Sequence, residues 1–128
     1  MVTMNTLHIE GTAKTPAVSF TDGLLEISGK SIPENSIEFY QPMYDWIEQY
    51  GQQPSKATTL VVRLEYFNTS SSKCLLDVFR KLEAIHKSGK SEVSVTWMYE
   101  GEDEDMMEAG EDYGDIVSLQ FTIEKIQE

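Results

Sequence analysis

At 128 residues, with 40% hydrophobic side chains, the chain can bury one core and reads as a single domain over residues 1–128. Its net charge of −12 argues against nucleic acid and anionic membrane surfaces as partners. No apolar run approaches the roughly 20 residues of a membrane-spanning helix, and the single cysteine, Cys74, cannot form an internal disulfide, so the cytoplasm is the expected compartment.

The first residues, Met1 to Asn5, have neither the basic region nor the apolar stretch of a secretion signal. Residues 6 to 28 read as two or three short strands. Leu7 and Ile9 alternate with His8 and Glu10, and Val18 and Phe20 share a face after Pro16. Asp22-Gly23 is a tight-turn pair, so a hairpin is expected, with Leu25 and Ile27 on the return strand and Gly29 ending it. Asn35 is placed to cap a first helix, with Glu38 reaching back as in a capping box. Phe39, Tyr40, Met43, Trp46, Ile47 and Tyr50 give that helix an apolar stripe, and Gly51 closes it. Pro42 removes a backbone donor and is expected to kink or restart it.

The central stretch follows at residues 58 to 80. Leu60, Val62, Leu64 and Tyr66 alternate with Val61, Arg63, Glu65 and Phe67, which is strand periodicity. Asn68-Thr69-Ser70-Ser71-Ser72-Lys73 comes next, and behind it Leu75, Phe79, Leu82 and Ile85 recur at helical spacing. A buried strand thus delivers four hydroxyls to the first turn of an amphipathic helix. Ser88-Gly89 stops that helix. Val93, Val95, Trp97 and Tyr99 mark another strand. Residues 100 to 115 then carry nine acidic side chains and no basic one. Met106, Met107, Ala109 and Tyr113 suggest a short, poorly anchored helix there, interrupted by Gly110. Val117, Leu119, Phe121 and Ile123 mark the last strand. The strand-helix-strand units imply parallel neighbours and right-handed crossovers. The fold class is therefore α/β, with a mixed β-sheet and helices mainly on one face.

Catalysis finds little support in these residues. The histidines are His8, on an early strand, and His86, carried about 20 Å from its helix N-terminus at ~1.5 Å per residue. That distance makes His86 a poor base for Thr69, and His8, which the sequence does not place, is a weak signal on its own. No metal-ligand spacing is present, the acidic run lacks the pattern of a calcium loop, and no glycine-rich phosphate loop occurs. No catalytic residue, metal or cofactor is expected. Cys74, in the first turn of the second helix, reads as a small packed residue. A hydroxyl at a helix N-terminus can cap the helix, bind an anion, or become an anion by phosphorylation. The residues alone leave those three open.

Asn68-Thr69-Ser70-Ser71 after an apolar strand, with Pro33-Glu34-Asn35-Ser36 before the first helix, resembles the SiaC family of bacterial regulatory phosphoproteins. Leu7-His8-Ile9-Glu10-Gly11-Thr12 followed by Thr15-Pro16 also fits, and the resemblance spans the chain. That family is similar in architecture to anti-sigma factor antagonists, so a STAS-like fold is implied. The resemblance implies that a protein kinase phosphorylates Thr69 and a PP2C-type phosphatase reverses it. It implies that the unphosphorylated form binds and activates a diguanylate cyclase, with cyclic di-GMP and biofilm formation as the readout. Thr69 is then the phosphorylation site, and Asn68, Ser70, Ser71, Glu34 and Asn35 are the expected partner-binding residues. A small-ligand domain using the same helix end as an anion site, or an unmodified scaffold, is the alternative.

Overall fold

The computed structural model describes residues 6–126; Met1 to Asn5, read above for a leader, lie outside them. Strands β1 (Leu7–Ile9), β2 (Ala17–Thr21) and β3 (Leu24–Ser31) are followed by helix α1 (Ser36–Tyr50), strand β4 (Ala57–Phe67), helix α2 (Thr69–Lys87), strand β5 (Glu92–Tyr99), helix α3 (Glu104–Ile116) and strand β6 (Gln120–Lys125). This is the element order expected from periodicity.

The six strands form one sheet in sequence order, β1 to β6. β1, β2 and β3 pair antiparallel, and Gly23 in the β2–β3 turn takes φ +91°. From β3 onward every pair is parallel, so each later strand is reached through a helix. Crossovers of one hand that all step the same way put their helices on the same side of the sheet. The core lies under them: Val18, Phe20, Leu25, Ile27, Leu60, Val62, Leu64, Val93, Val95 and Trp97 face the buried sides of α1 and α2. On the other face, Glu26, Arg63, Glu65 and Thr122 are exposed. Among the described residues no helix is long and apolar enough to cross a membrane.

Four local expectations change. β3 does not end at Gly29 but runs to Ser31, with a register shift between Gly29 and Lys30. Gly29 takes φ +108°, a conformation that side chains with a Cβ rarely adopt. Across that shift Glu65 is skipped in the pairing with β3, which reverses the facing of the end of β4. Phe67 therefore turns inward, 6.0 Å from the Trp97 ring in an edge contact, while Tyr66 is 56% exposed. Strict alternation had them the other way round. Helix α1 is continuous through Pro42 and does not restart there. Pro42 and Glu38, whose carbonyl loses its partner, are both on the exposed side, where water can satisfy it.

Helix α3 is neither short nor interrupted. Asp103 caps it, accepting from the Met106 N–H at 3.0 Å, and it runs thirteen residues with Met106, Gly110 and Tyr113 buried. Gly110 is a packing seat: the indole of Trp97 lies against it and donates through Nε1 to the Met106 carbonyl at 2.9 Å. The acidic side chains occupy the exposed remainder of the helix. Its exit is held by Glu83 of α2, which is buried, accepts from the Ser118 N–H and from Arg80 at 3.2 Å, and has Lys87 at 3.8 Å. The Ser118 N–H, helped by Arg80 and Lys87, holds the Glu83 carboxyl below its ordinary range against the opposing effect of burial.

Two outcomes follow from this packing. Alanine at Gly110 gains up to ~1 kcal/mol of helix propensity. Its Cβ overlaps the Trp97 ring, which is rigid and fully buried. Overpacking costs about 1–3 kcal/mol and wins, so Gly110→Ala lowers the thermal midpoint by several degrees in a calorimetric scan. A carboxylate with a depressed folded pKa stabilises above its unfolded value of about 4.3, and that contribution is lost as pH falls through the lower folded value. Glu83→Gln should therefore lose about 1–2 kcal/mol in urea denaturation at pH 7. Its difference from the parent protein should shrink as pH falls below about 4.3 and vanish once pH has passed below the lowered folded value.

Candidate functional site

The corner where β4 becomes α2 is built by an amide. Asn68 has extended backbone (φ −84°, ψ 174°), and its Oδ1 accepts from the Ser71 N–H at 2.9 Å, so Asn68 is the N-cap. Its own N–H donates to the Ser31 carbonyl at 3.0 Å, which fastens the corner to β3. None of the four hydroxyls that follow is needed as the cap.

Those hydroxyls have four different environments. Ser71, expected on a partner surface, is instead fully buried. Its Oγ donates to the Ser31 carbonyl at 3.0 Å and accepts from Ser31 Oγ at 2.8 Å. With that donor spent, Ser31 Oγ accepts from the Tyr40 hydroxyl at 2.7 Å. A directed chain thus runs from α1 through β3 to α2. Burial pushes the Tyr40 phenol up to about 12, so it remains a neutral donor at physiological pH. Ser70 is exposed, donates to Asn68 Oδ1 at 3.2 Å, and accepts from Ser36 Oγ at 2.6 Å. Ser72 donates to the Thr69 carbonyl at 2.6 Å, and its own carbonyl accepts from the Tyr113 hydroxyl at 2.8 Å. Thr69 is exposed, and among the described residues its hydroxyl has no hydrogen-bond partner.

The Ser36–Ser70 bond joins the N-termini of α1 and α2. At the α1 end Asn35 Oδ1 accepts from the Glu38 N–H at 3.1 Å, and Asn35 Nδ2 donates to Glu38 Oε2 at 3.3 Å. This is the expected cap, with the glutamate returning to the amide side chain rather than to the backbone. Glu34 and Asn35 are exposed, within two residues of Ser36. Ile37, the next residue along, is 72% exposed, the largest value among the big hydrophobic side chains that remain exposed. Lys73, one helical turn beyond Thr69, is exposed too.

Ser31, Ser36, Tyr40 and Ile37 were not singled out from sequence. Ser31 and Ser36 are lone serines beside a strand end and a cap, where serine is unremarkable. Tyr40 was legible only as part of an apolar stripe. Ile37 stands seven residues before Tyr44, which is buried, so periodicity puts it inside; only its place in the first turn of α1 leaves it out. His86 and Cys74 serve structure. His86 Nδ1 accepts from the Val93 N–H at 3.1 Å, tying α2 to β5. His8 is exposed on β1 opposite Ser19. Cys74 is buried, and its carbonyl accepts from the Tyr44 hydroxyl at 3.1 Å. Among the described residues no three metal-ligating side chains come together.

The family model described as SiaC family regulatory phosphoprotein matches residues 9–126. An uncharacterised protein of Pseudomonas aeruginosa (strain UCBPP-PA14) is 37% identical over 123 residues, covering 94% of this chain and 97% of its own. The fold superposes on the activator SiaC from Pseudomonas aeruginosa, seen in a crystal structure with the diguanylate cyclase SiaD. The TM-score is 0.87 at 36% identity, over 94% of this chain and 99% of that one. Apo-SiaC from the same organism gives a TM-score of 0.85 at 36% identity, with the same coverage.

The division of hydroxyls is measurable as stability. Ser71→Ala removes the acceptor of the buried Ser31 hydroxyl and one of the two donors to the Ser31 carbonyl, which keeps the Asn68 N–H, and should cost about 1–3 kcal/mol in urea denaturation. Thr69→Ala removes a hydroxyl with no hydrogen-bond partner among the described residues and should change stability by less than about 0.5 kcal/mol.

Proposed function

The chain belongs to the SiaC family of regulatory phosphoproteins, and on that premise we propose that it is a non-enzymatic switch acting on a diguanylate cyclase. In this reading the unphosphorylated form binds and activates the cyclase. A protein kinase places a phosphate on Thr69, and a PP2C-type phosphatase removes it. The outputs are cyclic di-GMP and, through it, biofilm formation. The reading of the partner rests on the relative that activates the cyclase SiaD, with which this chain shares its fold along nearly its whole length.

One observation carries the assignment of Thr69: of the four hydroxyls at the corner it is the exposed one without a bond to the rest of the fold. A kinase can reach it, and modifying it breaks nothing. Ser71 is closed to any enzyme, Ser70 holds α1, and Ser72 is turned back on the helix.

Phosphorylation adds a charge of about −1.5 to −2. At Thr69, the first residue of α2, that charge meets the positive end of the helix dipole, worth about 0.3–1 kcal/mol in favour of an anion. The exposed Lys73 one turn on adds a cation of the chain's own. The fold therefore accepts the dianion. A partner docked on the corner does not. Ile37 offers it an apolar contact whose burial contributes about 1.5–3 kcal/mol. Closing that contact over an unmatched dianion requires desolvating the phosphate. A hundredfold loss of affinity needs only about 2.7 kcal/mol.

The test is titration of a diguanylate cyclase with the protein in its unmodified and Thr69-phosphorylated forms. Unmodified protein and Thr69→Ala should bind alike, while the phosphorylated form and Thr69→Glu should bind about a hundredfold more weakly with an unchanged thermal midpoint. Ile37→Asp should weaken binding by about tenfold or more. Equal affinity of the phosphorylated and unmodified proteins would overturn the reading.

A further inference from the structure

The sheet ends at β6, and nothing among the described residues pairs with its outer side. Natural edge strands are usually short, kinked or charged along their length. β1, the opposite edge, has three residues. β6 has six, and Gln120-Phe121-Thr122-Ile123 carries neither a charge nor a proline; the charges come only at Glu124 and Lys125.

The facing of its backbone can be read from one bond. Ile126 donates its N–H to the Tyr99 carbonyl on β5. In a parallel ladder the N–H and C=O of one residue point the same way, and the direction alternates along the strand. Residues 120, 122 and 124 therefore face β5. Phe121, Ile123 and Lys125 present their N–H and C=O groups to the open side.

Beside this edge runs a groove of about 420 Å³ between β6 and α3. Leu119, Phe121 and Ile123 line its floor, but its exposed surface is mainly polar, with Glu111 and Asp115 at the rim; at Gly114 the helix sits so close to Phe121 that an added Cβ would come within 3.3 Å of that side chain. Glu104 and Glu108 continue the same exposed stripe of α3 at spacings of four and three. The stretch from 100 to 115 has nine acidic side chains and no basic one.

We propose that β6 and the groove beside it form a docking site for an extended peptide segment of a partner protein, one that alternates apolar and basic side chains. The peptide adds a strand to β6 through the free groups of Phe121, Ile123 and Lys125. Its lysines or arginines, which share one face of the added strand, lie on the α3 side and meet Glu111 and Asp115 at the groove, while its apolar side chains lie on the opposite face of the sheet. Charge decides the occupant: a second copy would bring another −12 to a rim that is already acidic, so pairing of two β6 strands is disfavoured. The inference stands independently of the Thr69 switch, since it uses neither that residue nor a modified form.

The experiment uses the unmodified full chain and three synthetic heptapeptides. One alternates lysine and valine, one alternates glutamate and valine, and one has the lysine–valine composition in two blocks. The alternating lysine peptide should bind about tenfold or more tightly than either of the others. It should slow amide exchange at Phe121, Ile123 and Lys125 by about tenfold or more, leaving the amides that face β5 unchanged. Glu111→Lys with Asp115→Lys, both at exposed positions, should remove about tenfold of the affinity. Ile123→Pro, which deletes an outward N–H, should remove the edge protection. Equal binding of the block peptide would mean diffuse attraction to an acidic protein and would overturn the proposal. So would binding without protection at the three outward amides. Protection of those amides without peptide, together with a concentration-dependent dimer in sedimentation, would assign the edge to a second copy instead.

Discussion

The structure depends on a buried chain of hydroxyls, from Tyr40 through Ser31 Oγ and Ser71 Oγ to the Ser31 carbonyl. Each member is a polar group removed from water, and each would cost about 1–3 kcal/mol if left without a partner. Satisfied together, they fix three elements at once: α1 through Tyr40, the end of β3 through Ser31, and the first turn of α2 through Ser71. The Asn68 N–H donates to the same Ser31 carbonyl, so the turn out of β4 is tied to that point as well. The chain has a direction, because the final acceptor is a carbonyl that cannot donate. Among the described residues no buried side-chain nitrogen or oxygen lacks a partner.

This constraint explains why the exposed hydroxyl at the corner is separable from the rest. Had the cap been a hydroxyl, the residue best placed for modification would also have held the helix. An asparagine does the capping, a buried serine does the tying, and a second serine bonds to α1. The side chain left outside carries none of these duties. A switch residue needs this arrangement: its two states must differ strongly to a partner and little to the host fold. The bond from Tyr113 to the Ser72 carbonyl adds a further anchor, from α3 into the first turn of α2. The corner is thereby held from both sides of α2.

Much of this was legible in the sequence, for physical reasons. Alternation and helical spacing are imposed by the core, so Leu60 and Val62, or Phe79 and Leu82, declare their elements without reference to anything distant. The hydroxyl cluster was visible because four small polar residues at a helix start are unusual in composition. What stayed hidden depends on pairs far apart in the chain. Ser31 and Ser71 are 40 residues apart, and Ser36 and Ser70 are 34 apart. Neither serine of a pair is informative alone. The inward turn of Phe67 followed from a pairing shift opposite Gly29, and no pattern within β4 announces it. Gly110 was misread because glycine in a helix usually signals weakness; here the missing side chain makes room for the Trp97 ring.

The acidic segment shows how one sequence feature can serve two ends. Buried positions on α3 are few: Met106, Gly110 and Tyr113, at spacings of four and three. Such a narrow seam suffices because Trp97 and Phe79 supply large aromatic faces to it, with the Phe79 and Tyr113 rings 4.9 Å apart. The rest of the helix is therefore released from packing and can hold charge at little cost to the fold. That charge also protects β6, since it repels other copies of a chain whose net charge is −12. An edge guarded by a field rather than by a proline or a bulge is closed to like-charged molecules only. Its exclusion of copies and its opening to a basic strand are then one property of the surface.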